Sequence, residues 1–319
     1  MKIEKLSPAF KDYLWGGTKL RDVYGKNCDY DKVAESWELS THPAGKSVIC
    51  GGEFDGLALD EYIEKLGRAV LGTNCERFEE FPVLIKFIDA KQPLSVQVHP
   101  SDEYALRVEG EYGKTEMWYV MASEPGASLY FGVNRELTKE EFKQHIENNT
   151  LTDVLYKADV KPGDVFFIKS GTIHAIGAGI LICEIQQNSN TTYRVYDYAR
   201  RGADGKLREL HVDKAIEVSS LVPSDTADKQ SKPESICSGT KTKLASCEYF
   251  TTEKYEIDGE TELNVDDSSF VSLVVTEGCG TAVCEENSVE FKAADSLFAP
   301  AGLGKVKISG KCTVIKTTV

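Results

Sequence analysis

Four stretches rich in Val, Ile, Phe and Tyr (residues 81–99, 116–132, 164–168 and 179–196) follow one another between glycine and proline turns, and this succession most constrains the fold. Such side chains suit a pleated, half-buried surface, so each stretch reads as strand. Helical signals are few: Leu57 to Leu66 carries apolar residues at helical spacing, and Thr138-Lys-Glu-Glu141 forms a capping box ahead of Phe142 and Ile146. Many short strands with a few inserted helices point to β-barrels or jelly rolls and away from a parallel α/β sheet.

A length of 319 residues favours two domains. The polar stretch from Ser219 to Lys243, with Pro223-Ser-Asp-Thr-Ala-Asp-Lys-Gln-Ser-Lys-Pro233 inside it, is the expected linker. This divides the chain into residues 1–220, a linker at 221–243, and a strand-rich unit at 244–319. An internal repeat joins the two parts. Lys161-Pro-Gly-Asp-Val-Phe-Phe-Ile-Lys-Ser-Gly171 resembles Lys292-Ala-Ala-Asp-Ser-Leu-Phe-Ala-Pro-Ala-Gly302, each an acidic turn, an apolar strand and a small-residue turn. Aligned on the glycines, the second copy has Lys305 where the first has His174, so the second unit is expected to be structural.

Composition excludes several classes of function. No run approaches the ~20 apolar residues of a membrane helix, and the first residues carry no apolar signal core, so a cytoplasmic protein without a membrane partner is expected. The net charge of −14 argues against nucleic acid or anionic lipid as partner. An anionic small substrate requires a local basic cluster, and one exists in Arg194, Arg200, Arg201, Lys206 and Arg208. The nine cysteines show no paired CxxC spacing and read as reduced thiols.

The chemistry concentrates in Gln92-Pro-Leu-Ser-Val-Gln-Val-His99-Pro100. Side chains alternate along a strand, so Ser95, Gln97 and His99 share one face while Val96 and Val98 take the other. Pro100 cannot donate to a ladder and ends the strand near a rim. Taken singly, each His, Glu or Gln is as well explained by a hydrogen-bonded structural role. Together, Gln97, His99, Glu116 and His174 offer two nitrogens and two oxygens, a set that a divalent zinc ion accepts. His42, His145 and His211 have no comparable setting. Trp15, Trp37 and Trp118 either line a ligand face or fill the core.

Pro162-Gly-Asp and Ser170-Gly-Thr-Ile-His-Ala-Ile-Gly177 resemble the second signature of the cupins, whose small jelly-roll barrel holds a metal. Within the cupins, Pro93-Leu-Ser-Val-Gln-Val-His-Pro100, Gly113-Lys-Thr-Glu-Met-Trp118, His174 and Tyr193-Arg-Val-Tyr-Asp-Tyr198 are similar to type I mannose-6-phosphate isomerases. Tyr13-Leu-Trp-Gly-Gly17 and Ala34-Glu-Ser-Trp-Glu-Leu-Ser-Thr-His-Pro43 match that family's amino-terminal blocks, so the resemblance spans nearly the whole chain. The short gap between Glu116 and His174 marks the form without the helical insertion of longer members.

The resemblance implies a mainly β fold of two cupin-type jelly-roll barrels with a few inserted helices, the first catalytic and metal-binding, the second degenerate. It implies one Zn2+ per chain on Gln97, His99, Glu116 and His174, with a sugar phosphate as substrate and a monomer or weak dimer as the assembly. Lys114 matches a lysine proposed in the family as acid/base group, and Arg194 the arginine at the reacting end of the pocket. Ser95 matches a phosphate-contacting serine, and Trp15 is placed at the substrate. Longer members follow the arginine with Gly-Leu-Thr-Pro-Lys, so Arg200 is expected to replace that lysine as phosphate ligand.

Physical chemistry agrees with this reading. An aldose–ketose isomerase needs an electrophile and a group that cycles a proton. A lysine beside a divalent cation is expected to have its ammonium form disfavoured. Two other readings use the same residues: an iron(II) cupin oxygenase on His99, Glu116 and His174, or a non-catalytic sugar-phosphate binder. Gln97 as a fourth ligand disfavours the first, because oxygen chemistry prefers an open position. Lys114 and Arg194 disfavour the second, because a binder has no use for a proton-transfer group.

Overall fold

In the computed structural model, which describes residues 1–202, 205–225 and 230–319, the chain is mainly β with five short α-helices. Two antiparallel sheets face each other in the first part. A six-stranded sheet runs in the order Val165–Ile168, Glu116–Ser123, Ile180–Gln187, Val83–Ala90, Glu35–Leu39 and Ala9–Lys11. A five-stranded sheet runs Tyr193–Tyr196, Val96–Val98, His174–Ala175, Ser128–Val133 and Leu155–Asp159.

Their inner faces enclose a core that includes Trp15, Ile88, Trp118, Val120, Phe131 and Ile182. The outer face of the smaller sheet, with Val96, Val98 and Val195, is covered by helices Lys139–Glu147 and Val212–Val218. The first of these helices begins at the Thr138 capping box, and the other expected helix spans Leu59–Leu66. No helix of the described residues is long and apolar enough to cross a membrane. All nine cysteines are free.

The third sheet has nine strands and includes the long strands Thr251–Val265, Val271–Val283 and Gly304–Thr318 around a second core. Two features differ from the divisions expected of the sequence. Glu4–Ser7 and Val48–Cys50 belong to this third sheet, where Glu4–Ser7 pairs with Ser296–Ala299, although they precede the catalytic strands in the chain. Glu234–Ile236 and Gly239–Ser246 are strands of the same sheet within or overlapping the expected linker. Their polar residues face solvent on an edge, which gave that segment its linker-like composition. Residues 226–229 of the linker lie outside the described residues.

The repeat corresponds to real structure. Val165–Ile168 and Ser296–Ala299 are equivalent strands. Before each, an aspartate accepts a backbone N–H, Asp164 from Lys161 and Asp295 from Lys292. The residue preceding each aspartate is left-handed, with φ +92° at Gly163 and φ +69° at Ala294. The second copy thus tolerates a Cβ in a conformation that glycine adopts cheaply.

Candidate metal centre and substrate cavity

Both faces of the strands at 83–90, 116–123 and 180–187 are buried, and alternation divides their side chains cleanly. Ile85, Phe87, Met117, Tyr119, Cys183 and Ile185 pack outward into the core shared with the third sheet. Lys86, Glu116, Trp118 and Glu184 point the other way, into the barrel. Register sets Glu184 opposite Lys86 on one side and Trp118 on the other, and Gln186 opposite Glu116. In the facing sheet Gln97 pairs with both His174 and Arg194. These pairings bring Glu116 and His174 to face each other across the barrel.

There His99, Glu116 and His174 bring their ligand atoms within 4.8 Å of one another, all three fully buried. Glu116 Oε2 is 3.6 Å from His99 Nε2, and Oε1 is 3.6 Å from His174 Nε2. The histidine tautomers follow from their other contacts. His99 Nδ1 lies 3.0 Å from the Thr191 carbonyl and His174 Nδ1 2.8 Å from the Thr172 carbonyl. A carbonyl can only accept, so both Nδ1 atoms carry the proton and both Nε2 lone pairs face the centre. Burial drives His99 well below its ordinary value and His174 down to about 4, keeping the rings neutral as a cation requires.

His99 Nε2 and Glu116 Oε1 are buried with no hydrogen-bond partner among the described residues, a costly arrangement unless a cation occupies the point between them. The donor set fits a divalent metal. Gln97 lies beside the triad, its amide nitrogen 3.4 Å from His174 Nε2; turning the amide over presents Oε1 to the same point.

A cavity of about 290 Å³ opens above this centre, floored by Gln97, Lys114 and Glu184. Trp15 and Tyr13 form one wall. The turn that carries them needs Gly16, since a Cβ there would lie 2.6 Å from Ala34 Cα. Trp37 and Trp118 are core residues that hold carboxylates, Trp37 donating to Glu35 Oε2 at 2.6 Å and Trp118 to Glu184 Oε2 at 2.9 Å.

Lys114 Nζ sits 2.9 Å from Glu116 Oε2 and 3.8 Å from Glu184 Oε1. Burial pushes its ammonium down, but Glu116 first and Glu184 second outweigh burial and leave its pKa raised; the expectation from the sequence concerned a lysine beside a bound divalent cation. Sequence reading missed Glu184 together with Lys86 and Glu35. Lys86 Nζ lies 3.7 Å from Glu35 and from Glu184, extending a buried chain of alternating charge. For Lys86 and Glu184 the missed signal was a charged residue inside an otherwise apolar strand.

Ser95, Arg194 and Arg208 also line the cavity. Arg194 Nε donates to Ser95 Oγ at 3.2 Å and Nη1 to the Glu209 carbonyl at 3.0 Å. Arg200, the expected phosphate ligand, does not line the cavity; its guanidinium turns to Asp197 and to the Pro93 carbonyl. Arg201 is exposed. His145 bonds Thr150, His42 caps a turn at Ala44, and His211 accepts the Arg194 backbone N–H, so none of the three joins the centre.

Comparison with known proteins agrees with this geometry. Residues 3–125 match the model of the phosphomannose isomerase type I catalytic domain, and residues 240–319 that of the mannose-6-phosphate isomerase cupin domain. Mannose-6-phosphate isomerase ManA of Bacillus subtilis is 42% identical over 304 residues, 95% of this chain and 94% of that protein. The mannose-6-phosphate isomerase of Streptococcus mutans is 36% identical over 303 residues, 95% and 93% of the two chains. The crystal structure of the mannose 6-phosphate isomerase from Bacillus subtilis superposes with a TM-score of 0.94 at 36% identity, covering 100% of both chains. With its sequence matched over almost its full length and its two β units superposing on that structure, the chain belongs to the type I phosphomannose isomerase family.

Proposed function

We propose that the chain interconverts mannose 6-phosphate and fructose 6-phosphate through a cis-enediol, with one zinc ion held by Gln97, His99, Glu116 and His174. The observation that carries the reading is the buried His99–Glu116–His174 triad, its ligand atoms within 4.8 Å of one another beside a cavity that Arg194 and Arg208 also line. Zinc bound there would polarise the neighbouring oxygens of the sugar and offset the Glu116 charge that holds Lys114 protonated.

The remaining work belongs to side chains. Lys114 moves a proton from C2 of the aldose to C1, while the hydroxyl proton passes between O2 and O1, so that substrate and product remain isomers. Glu184 Oε1, which has no hydrogen-bond partner among the described residues, holds Lys114 Nζ over the reacting carbons. Arg194, tied to Ser95, stabilises the negative charge of the enediolate; burial lowers its pKa from a very high starting value, and it remains cationic at neutral pH. Trp15 shields the sugar face from water. The enzyme is expected to act in the cytoplasm, as a monomer or weak dimer.

Stripping the protein with chelator and following fructose 6-phosphate formation tests this directly. Activity should vanish and return with zinc or cobalt. Silence with every divalent metal would overturn the reading.

A further inference from the structure

We propose that the anionic group of the substrate is received by Arg208 together with Ser95, and that Asp197 and Arg200 are positioning residues that aim the Arg208 guanidinium. This deepens the isomerase reading and rests on it for the substrate, a sugar phosphomonoester.

The argument begins with which arginine has donors to spare. Arg200 is committed: Nε donates to Asp197 Oδ1 at 3.1 Å, Nη1 to the Pro93 carbonyl at 2.5 Å, and Nη2 to Asp197 as well. Its guanidinium also lies 5.4 Å from the Tyr198 ring centroid. Arg208 meets Asp197 by one edge only, Nε to Oδ2 and Nη2 to Oδ1, both at 2.6 Å. A bidentate contact through Nε and Nη2 leaves Nη1 without a partner among the described residues, and Arg208 lines the cavity beside Ser95 and Arg194.

Sequence distance hides this arrangement, and the backbone explains it. Tyr198 and Ala199 both adopt left-handed conformations, φ +54° and +52°, which turn the chain sharply after Asp197. An antiparallel bridge between Arg201 and Leu207 then returns it, so that Arg208 stands beside a residue eleven positions earlier.

Charge gives the ligand class. Three guanidinium groups, Arg194, Arg200 and Arg208, gather around one buried carboxylate, Asp197; Glu209 lends Arg194 its backbone carbonyl while its own side chain is exposed. The excess is positive. That cationic cluster is the contact a dianionic phosphomonoester meets in the cavity.

The test uses the zinc-loaded full chain and three readouts: kcat and KM for mannose 6-phosphate, inhibition by inorganic phosphate, and calorimetric binding of fructose 6-phosphate. Arg208→Gln should lower kcat/KM about 100-fold or more, chiefly through KM, and weaken phosphate inhibition in parallel. Arg208→Lys, which keeps the charge and loses the fork, should recover part of the loss and also carries the test if the glutamine variant does not fold. Arg200→Gln should cost less than about tenfold, and Asp197→Asn should raise KM while sparing kcat.

Phosphate inhibition and KM within twofold of wild type in both Arg208 variants would overturn the proposal, as would a larger loss in Arg200→Gln. If the wild type isomerises no mannose 6-phosphate yet binds fructose 6-phosphate through Arg208, the isomerase reading falls and the anion site stands.

Discussion

At the scale of single residues, backbone carbonyls rather than other side chains orient the metal site. Thr172 and Thr191 fix the protons of His174 and His99, leaving both Nε2 lone pairs turned toward Glu116, with the Gln97 amide also beside that of His174. Glu116→Gln should therefore reduce zinc affinity by more than about 100-fold, read by metal analysis after dialysis. Stoichiometric zinc in that variant would remove Glu116 from the ligand set. On the proposed mechanism Arg194→Ala should lower kcat by about 10²–10³-fold with zinc content unchanged, since the Arg194 charge would act on the enediolate and Arg194 is not one of the proposed ligands.

Asp197 makes a pH-dependent contribution. Burial would raise its carboxyl, but Arg208 and Arg200 outweigh burial and hold it below the ordinary 3.8. A carboxylate with a lower pKa folded than unfolded stabilises the fold fully above the unfolded value and loses that contribution as pH falls through the folded one. Asp197→Asn should thus cost about 1–3 kcal/mol at pH 7, and the gap from wild type should close below pH 3.8 in urea titrations. A gap that persisted there would mean the charge is not what Asp197 contributes.

At the scale of elements, the repeated turn–strand–turn shows how one local solution serves two cores. Gly163 has open space where a Cβ would sit, so its φ of +92° alone makes the position demanding. Gly163→Ala should cost about 1–2 kcal/mol with kinetics unchanged, checked by thermal melting alongside the isomerase assay. The same scale explains what sequence reading missed. Strands buried on both faces lose the apolar–polar alternation of a half-exposed strand, so Lys86 and Glu184 look like stray charges in apolar runs. Only the register across the three strands shows that both point at Lys114 and Glu116.

At the scale of the whole molecule, the third sheet closes over the outer face of the six-stranded one. Phe270 is fully buried between them, its ring 5.2 Å from Phe81 and 5.4 Å from Phe298. Phe270→Ala should cost about 3–5 kcal/mol. Because Glu4–Ser7 pairs with Ser296–Ala299, the chain's first strand ties the two β units together. Isomerase activity and near-ultraviolet circular dichroism should be lost at one temperature in wild type and variant alike. Activity lost well below the spectroscopic transition would show that the catalytic unit opens separately.

The sequence by itself determined the β class, the two helices with clear periodicity or caps, and the repeat, and it singled out His99, Glu116 and His174, which the fold brings together, because strand alternation, capping and ligand chemistry are properties of residue types and short spacings. Tertiary structure alone decided that Glu184, Lys86 and Glu35 form a buried chain of charge running from Lys114. It also decided that Arg208 and not Arg200 faces the cavity, and that the first strand joins the last sheet. Each of these depends on which strands pair and in what register. Pairing is set by burying two cores at once, a condition on the whole chain that no short stretch of residues expresses.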